Sequence, residues 1–290
     1  MSNIHTILTH PGSAHKDEFL ACSILLALYP VPVVRREPTA EDLADENICV
    51  VDVGHEHAPA RQNFDHHQLP KDHPPTCSIS LILKHLGIYE DARTFCEWLE
   101  VAEWFDTRGP SSTARWLGVK DTVVSRLYSP IDGTLLRRFA LAERLQEGDP
   151  IWAVMRMIGE DLLGWIKGMR HQLNFIAAHA EFWELPTDSG PLHVLFMPRT
   201  DPMPAEPSQG LARFIESRGM GSSVAGLIYP DRRGGGYGLS RFDDDARLDF
   251  TRIASYNDVH FTHARGFIAK TSATDLGQLK KLMLGAWVPQ

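Results

Sequence analysis

The chain lacks a long apolar run. None reaches the ~18 residues a membrane-spanning helix needs, and the nearest approach, Phe19 to Val34, is broken by Ser23, Pro30 and Pro32. A helical membrane span is therefore excluded. The opening Met1-Ser2-Asn3-Ile4-His5 carries no positive charge of the kind that begins a secretory signal, so a cytoplasmic location is expected. Cysteine is scarce. The four present, Cys22, Cys49, Cys77 and Cys96, form no Cys-x-x-Cys pair and stand in apolar surroundings. That argues against a disulfide framework or a cysteine-built zinc site and for buried, reduced thiols. Internal repeats are absent, and no low-complexity tract exceeds Gly234-Gly235-Gly236. An excess of positive charge is missing too: with a net charge of -8, the broad basic surface behind tight, sequence-independent duplex binding is not expected.

What the chain does have is 290 residues, 43% apolar and 23% charged, enough for sizeable cores and more than one ordinary domain. The charge is unevenly placed. Residues 1–189 carry 27 acidic against 17 basic side chains, and residues 190–290 carry 10 against 12. An acidic half suits cations and a mildly basic one suits phosphates. Three segments are expected: a metal-binding domain over 1–150, a helical linker over 151–190 and a substrate-binding domain over 191–290, with a cleft between the domains.

Periodicity fills in the segments. Residues 4–9, Val31 to Val34 and Ile48 to Val53 read as strands. The last is apolar throughout, as a strand covered on both faces should be. Residues 17–29 read as a helix capped by Asp17 or a neighbour, with Phe19, Leu20, Ile24, Leu25 and Leu28 at helical spacing. A short helix or turn at Glu41 to Asp45 is followed by helices over Cys77–Leu86, Ala92–Phe105, Asp121–Leu127, Gly133–Leu145 and Ile151–Trp183, the last weakened by Gly159, Gly164 and Gly168. Strands alternating with helices imply an α/β fold with a doubly wound, mainly parallel sheet. Beyond the linker-like cluster Leu185 to Pro191, a smaller α/β domain is expected. Its strands are Leu192–Met197, Val224–Tyr229, Tyr237–Phe242 and Val259–His263, and its helices Gln209–Arg218 and Ser272–Leu284.

In doubly wound sheets, ligands bind beyond the carboxyl ends of the strands. The chemistry-bearing residues fall there. His10, His15 and Asp17 follow the first strand, with Gly12 letting the loop curl. Asp17 reads equally as a helix cap. Asp52 closes an apolar strand, where an unpaired carboxylate is costly to bury. Asp65-His66-His67 follows Phe64 at the end of a polar loop. Neighbouring residues of an extended segment face opposite ways, so one imidazole suits a metal and the other a proton or a phosphate, with Asp65 orienting a ring. Asp106 sits at a helix end, where the macrodipole disfavours an anion. Its compensating cation is Arg108 or a metal, and the nearby Arg108 is favoured from this segment alone. Hard oxygen ligands mixed with imidazole favour Mn²⁺, with Mg²⁺, Co²⁺, Fe²⁺ and Zn²⁺ as alternatives. So many ligands suit two ions ~3.5–4 Å apart, an arrangement suited to phosphoester hydrolysis.

The order of these motifs resembles the DHH phosphoesterase superfamily: His10…His15-x-Asp17, Val50-Val51-Asp52-Val53-Gly54, Asp65-His66-His67-Gln68, Phe105-Asp106. Within it, Thr9-His10-x-Gly12-x-x-His15-x-Asp17-Glu18, Lys84-His85-Leu86-Gly87, Leu227-Ile228-Tyr229-Pro230-Asp231 and Phe261-x-His263-Ala264-x-Gly266-Phe267-Ile268 are similar to the melanocyte proliferating gene family. The resemblance implies a two-domain phosphoesterase holding two manganese ions. One ion would take His10, His15 and Asp52. The other would take Asp17, Asp52, His66 and Asp106, so that a metal replaces Arg108 as the expected partner of Asp106. His67, with Asp65 behind it, would act on substrate phosphate. The Gly-Gly-Gly-His signature of related substrate domains is not present in that form. Gly234-Gly235-Gly236 precedes Tyr237, and the substrate-end histidine is expected to be His263.

His263 and Gly266 would then grip a phosphate, Phe267 would stack on a base unless it is core, and Arg241 would face the substrate. Arg232 and Arg233 read as a solvated turn. The expected activity is a 3′-5′ exonuclease on RNA or short oligonucleotides, in which hydroxide generated between two ions attacks phosphorus. The alternatives are hydrolysis of a small phosphorylated metabolite or dinucleotide, and a metal-binding regulatory protein without turnover. No membrane partner is expected, and self-association is compatible with the sequence.

Overall fold

The structure, a computed structural model, describes residues 3–127 and 129–289. Met1 and Ser2, considered above as the start of a leader, lie outside the described residues. The chain divides into two units, Met1–Gly168 and Met169–Gln290.

The strands of the first unit are β1 (Thr6–Thr9), β2 (Val33–Arg35), β3 (Ile48–Val51), β4 (His57–Ala58), β5 (Asn63–Phe64) and β6 (Arg144–Leu145). They form one sheet in the order β4-β5-β3-β1-β2-β6. Its four inner strands are parallel, and the short edge strands β4 and β6 are antiparallel. Ile7, Leu8, Cys49, Val50 and Val51 are fully buried. This is what an apolar strand without polar alternation predicts: both faces of the sheet are covered. The doubly wound, mainly parallel α/β fold expected above is the fold observed.

The unit's helices are α1 (Lys16–Leu28), α2 (Ala40–Ala44), α3 (Ser78–His85), α4 (Tyr89–Phe95), α5 (Trp98–Arg108), α6 (Pro110–Trp116), α7 (Asp121–Arg126) and α8 (Pro130–Ala140), and α9 (Pro150–His179) begins in it and ends in the second. α1 is buried at nearly every position from Asp17 to Leu26. The N-cap of α1 is His15, with no side-chain cap; Asp17 lies inside the first turn, so the capping role is corrected.

Three helices differ from expectation. The pattern over 92–105 is interrupted at Cys96-Glu97, giving α4 and α5. Phe95, Leu99 and Ala102 are all buried, so the apolar period runs through the break and hides it. The helix placed at 133–145 is α8, begun by Ser129, which accepts from the Ile131 N–H. Leu145 instead pairs with Val33 as a sheet edge. α9 ends at His179, and Glu181 to Leu185 is a strand. Its burial alternates, with Trp183 and Leu185 inward and Glu184 exposed, the period of a half-buried strand.

That strand, β7 (Glu181–Leu185), opens the sheet of the second unit, with β8 (Leu192–Phe196), β9 (Val224–Pro230), β10 (Tyr237–Arg241), β11 (Val259–Thr262) and β12 (Ile268–Thr271). The order is β11-β12-β10-β9-β8-β7. Among these described strands only β8 and β9 run parallel, and α10 (Leu211–Ser217) lies between them in sequence. The Pro- and Gly-containing stretch after Leu185 is the turn of an antiparallel pair, since Leu185 pairs with Leu192. α11 (Leu276–Ala286) packs Leu279, Leu282 and Met283 into a core with Val194, Phe196, Ile228 and Leu239. All four cysteines are buried free thiols, as their apolar surroundings imply.

Candidate metal centre

The connection out of β1 leads through α1 to β2 on one side, while β3 lies on the other. Adjacent strands whose connections depart in opposite directions leave a crevice at their carboxyl ends. β1 ends there in His10, β3 in Asp52, and β5 runs into Asp65-His66-His67. The β1–α1 loop, with Gly12 at φ +86°, brings in His15 and Asp17. The last turn of α5 adds Asp106.

These side chains converge. His66 Nε2 lies 3.0 Å from Asp52 Oδ1 and 3.0 Å from Asp106 Oδ2. His10 Nε2 is 3.5 Å from Asp52 Oδ2 and in close contact with Glu18. His15 Nδ1 is 3.8 Å from Asp106 Oδ1. Three overlapping sets, Asp52/Asp65/His66/His67, His10/His15/Asp52 and His15/Asp17/Asp106, each have ligand atoms within 4.8 Å of one another. Asp52 belongs to two of them and His15 to two.

The donors fit a divalent cation. Among the described residues, the buried side-chain atoms without a hydrogen-bond partner include Asp17 Oδ1, Glu18 Oε2, His66 Nε2 and Asp106 Oδ2. His66 Nε2 thus lies 3.0 Å from two carboxylate oxygens without hydrogen-bond geometry to either. Orphaned buried polar atoms are rare and costly. Several aimed into one crevice, on carboxylates and imidazole, are a donor set for a divalent cation. Arg108 does not neutralise Asp106; it donates to the His73 carbonyl at 2.6 Å.

The charges tell the same story. Burial pushes the Asp17 carboxyl well above the usual range, with the Asp52 and Asp106 charges adding to it. Burial also pushes Asp52 up, but His10, His66 and Ser78 outweigh it and hold that carboxyl well below the ordinary range. Burial lowers His10, which the carboxylates of Asp52 and Glu18 reverse, raising it to about 10. His66 is likewise lowered by burial and raised by Asp106 and Asp52 to about 10. The carboxylates around His10 and His66 therefore favour positive charge in this crevice.

Asp65 and His67 are arranged differently. Asp65 accepts from the His55 N–H at 2.6 Å, the His67 N–H at 3.0 Å and His67 Nδ1 at 2.6 Å. Both its oxygens are engaged, so it orients His67, and this bond holds the His67 imidazole above its ordinary value. The ring is half exposed, with Nε2 left for a ligand or a proton.

Several residues here were not anticipated. Ser78, fully buried, donates its hydroxyl to Asp52 Oδ1 at 2.6 Å and its N–H to Asp17 Oδ2 at 3.3 Å. Arg35 is buried and reaches Glu18 at 3.0 Å and the carbonyls of Gly12 and Ser13 at 3.2 and 3.1 Å, fixing the loop between His10 and His15. Glu103 receives Ser80, Tyr89 and Arg93 at 2.7, 2.7 and 3.0 Å, tying α3, α4 and α5 together. Asp52 itself has φ +60°, a backbone state costing about 1–3 kcal/mol that clusters at functional sites.

The four residues expected at the substrate end gather in the second unit around the β11–β12 turn. His263 and Phe267 rings are 4.2 Å apart. Gly266, at φ +70°, leaves no room for a side chain, since an added Cβ would meet Asp249 Oδ1 at 2.0 Å. Arg241 donates to the Leu248 carbonyl at 2.6 Å and to Asp244 at 2.8 Å, and with Phe267 and Arg265 lines a pocket of 320 Å³. Phe267 is 38% exposed, so the alternative that it is a core residue falls. Arg232 pairs with Glu206, both exposed.

Residues 6–88 match the MYG1 exonuclease family model, described as an uncharacterised protein family (UPF0160). The human MYG1 exonuclease is 47% identical over 62 residues, 21% of this chain and 16% of that protein. The rat (Rattus norvegicus) MYG1 exonuclease is 48% identical over 65 residues, again 21% and 16%. The matched segment thus spans about a sixth of the length of these relatives. Two solved structures align with 98% of the chain at 13% identity. The DHH domain of a member of a ribosomal-protein family has a TM-score of 0.33 and 85% of its own chain covered. RecJ from Thermus thermophilus, in complex with Mn²⁺, has a TM-score of 0.29 and 52% covered. The melanocyte proliferating gene family expected from the motifs is the family matched over residues 6–88.

Proposed function

We propose that this chain, whose residues 6–88 carry the MYG1 family match, is a divalent-metal-dependent phosphoesterase of the 3′-5′ exonuclease kind, acting on RNA or short oligonucleotides. The observation that supports it is the convergence of His10, His15, Asp17, Asp52, His66 and Asp106 in one crevice with several of their buried atoms unpartnered. In this reading those six residues would hold Mn²⁺, as two ions, with Asp52 available to both. Cations bound there would supply Lewis acidity at a phosphoryl oxygen and lower the pKa of water.

The protein's own groups do the rest. His67, oriented by Asp65, presents a half-exposed imidazole, suited to donate a hydrogen bond or a proton to a phosphoryl oxygen. Ser78 and Arg35 fix the carboxylates and the loop, so that the donors are held before substrate arrives. The first 150 residues are the hydrolytic domain, and His263, Gly266, Phe267 and Arg241 are a substrate-binding element of the C-terminal domain. The test is incubation with Mn²⁺ and 5′-labelled short RNA. Stepwise shortening from the 3′ end, lost in Asp52→Ala, is expected. An intact oligomer at stoichiometric enzyme rejects the reading.

A further inference from the structure

The candidate metal residues form one wall of a second feature. In the first unit, His15, Asp17 and Asp106 line a pocket of 570 Å³ whose other walls are mostly apolar. Trp98, Val101 and Phe105 of α5 face Leu117, Val124 and Leu136. Spacings of three and four residues put Trp98, Val101 and Phe105 on one helix face. Trp98 and Phe105 are 36% and 37% exposed, so their rings can be reached without opening the core. Phe105 directly precedes Asp106, and one turn of helix therefore sets both an aromatic ring and a candidate metal ligand. The volume is that of a small-ligand site.

What fills such a pocket is constrained by its neighbour. A phosphate drawn to the crevice places whatever it is esterified to against these walls. Pyrophosphate or a bare sugar phosphate would leave the rings facing water. A nucleotide would cover them with the face of its base. We propose that the α5 pocket is the subsite for the base of the nucleotide whose phosphate lies at the metal centre, so that the substrate class is nucleotide-ended and not a simple phosphate ester. The inference rests on the phosphoesterase reading above. Stacking on aromatic rings tolerates every base because each has a π-face. Beyond the candidate metal residues, the polar side chains at the wall are Ser125 and the Lys16–Asp132 ion pair at 2.8 Å, whose groups engage each other, so a base is required but its identity matters little.

The test compares the metal-loaded protein on two oligonucleotides alike except at the end attacked: one with a base there, one with an abasic tetrahydrofuran residue. Cleavage of the base-bearing end is expected to be 10- to 100-fold better in kcat/KM, with little difference among the four bases. Trp98→Leu and Phe105→Leu keep an apolar side chain and remove a ring, and each is expected to bring the ratio towards one. Binding is measured separately, by tryptophan fluorescence with adenosine 5′-monophosphate against ribose 5-phosphate. The nucleotide is expected to bind at least tenfold more tightly in wild type and not in Trp98→Leu, read by competition. Equal rates on the two ends overturn the subsite and leave the phosphoesterase reading standing. Preferential nucleotide binding without cleavage of any phosphoester does the reverse. A base preference that survives both variants, while light scattering shows that they dissociate a dimer, also overturns the subsite, because the face then belongs to a second copy.

Discussion

Ser78 braces two of the candidate metal ligands at once. One residue at the start of α3 bonds to Asp52 through its hydroxyl and to Asp17 through its N–H. Residues that orient ligands in this way typically matter 10- to 100-fold in metal affinity. Ser78→Ala is expected to weaken Mn²⁺ binding by about that factor, with Ser78→Thr recovering much of it; calorimetric titration of the metal measures both. Proton linkage follows from the same crevice. The folded values of His10 and His66 are raised from 6.5 to about 10. A group raised on folding stabilises fully below its unfolded value and loses that stabilisation as pH rises through the folded one. The metal-free protein should therefore lose stability between about pH 6.5 and 10, whereas Mn²⁺ affinity should rise across the same window because the metal displaces those protons. Titrations at pH 8 in two buffers of different ionisation enthalpy should show proton release on binding; heats independent of the buffer would contradict it. At this scale the six metal candidates were legible, because imidazoles and carboxylates at the ends of apolar strands are unusual. Ser78 was not, since a serine at a helix start reads as ordinary helix chemistry. Nor was Arg35, whose partner Glu18 is 17 residues away and visible only after folding.

Glycines in α9 separate two effects that look identical in sequence. Gly159, Gly164 and Gly168 all read as weak points of a long helix. In the fold, a Cβ at Gly159 would stand 1.9 Å from the Ser23 carbonyl oxygen, whereas at Gly164 it would meet nothing within 4 Å. Gly159 is thus what lets α9 lie against the backbone of α1, the helix that carries Asp17. Gly159→Ala should destabilise by about 1–3 kcal/mol, the usual cost of overpacking. Gly164→Ala should stabilise by about 0.5–1 kcal/mol through helix propensity. Chemical denaturation of the two variants beside wild type checks the opposite signs, and a common sign would mean that close approach is not what Gly159 provides. Of the inner strands, β1, β2 and β3 were legible as apolar runs, whereas β5, with two residues, was too short to read as a strand. The break between α4 and α5 was not, since Phe95, Leu99 and Ala102 keep helical spacing across it. β7 was absorbed into the preceding helix because Phe182 and Trp183 satisfy either period over so short a run. β12 was missed because its inward positions are Ala269 and Thr271, which give little apolar alternation.

On the scale of the whole chain, the expected division into a cation-binding half and a phosphate-binding half has a consequence that can be measured by region. The acidic surplus lies in residues 1–189, and every candidate metal ligand lies before residue 107, within the first of the two units. A ligand that binds only the folded state stabilises it, by about 2.7 kcal/mol at a hundred times its Kd. That stabilisation should appear where the ligands are rooted. In native-state hydrogen exchange, saturating Mn²⁺ is expected to slow amides at the carboxyl ends of β1, β3 and β5, through the first turns of α1 and α3, and in the last turn of α5. The amides of β8, β9, β10 and α11 should exchange as before, because no candidate ligand comes from that sheet. Asp52→Ala, which removes the carboxylate shared by two of the three donor sets, should abolish the change. Protection confined to the second unit would place the cation at another site and leave the crevice around Asp52 without one.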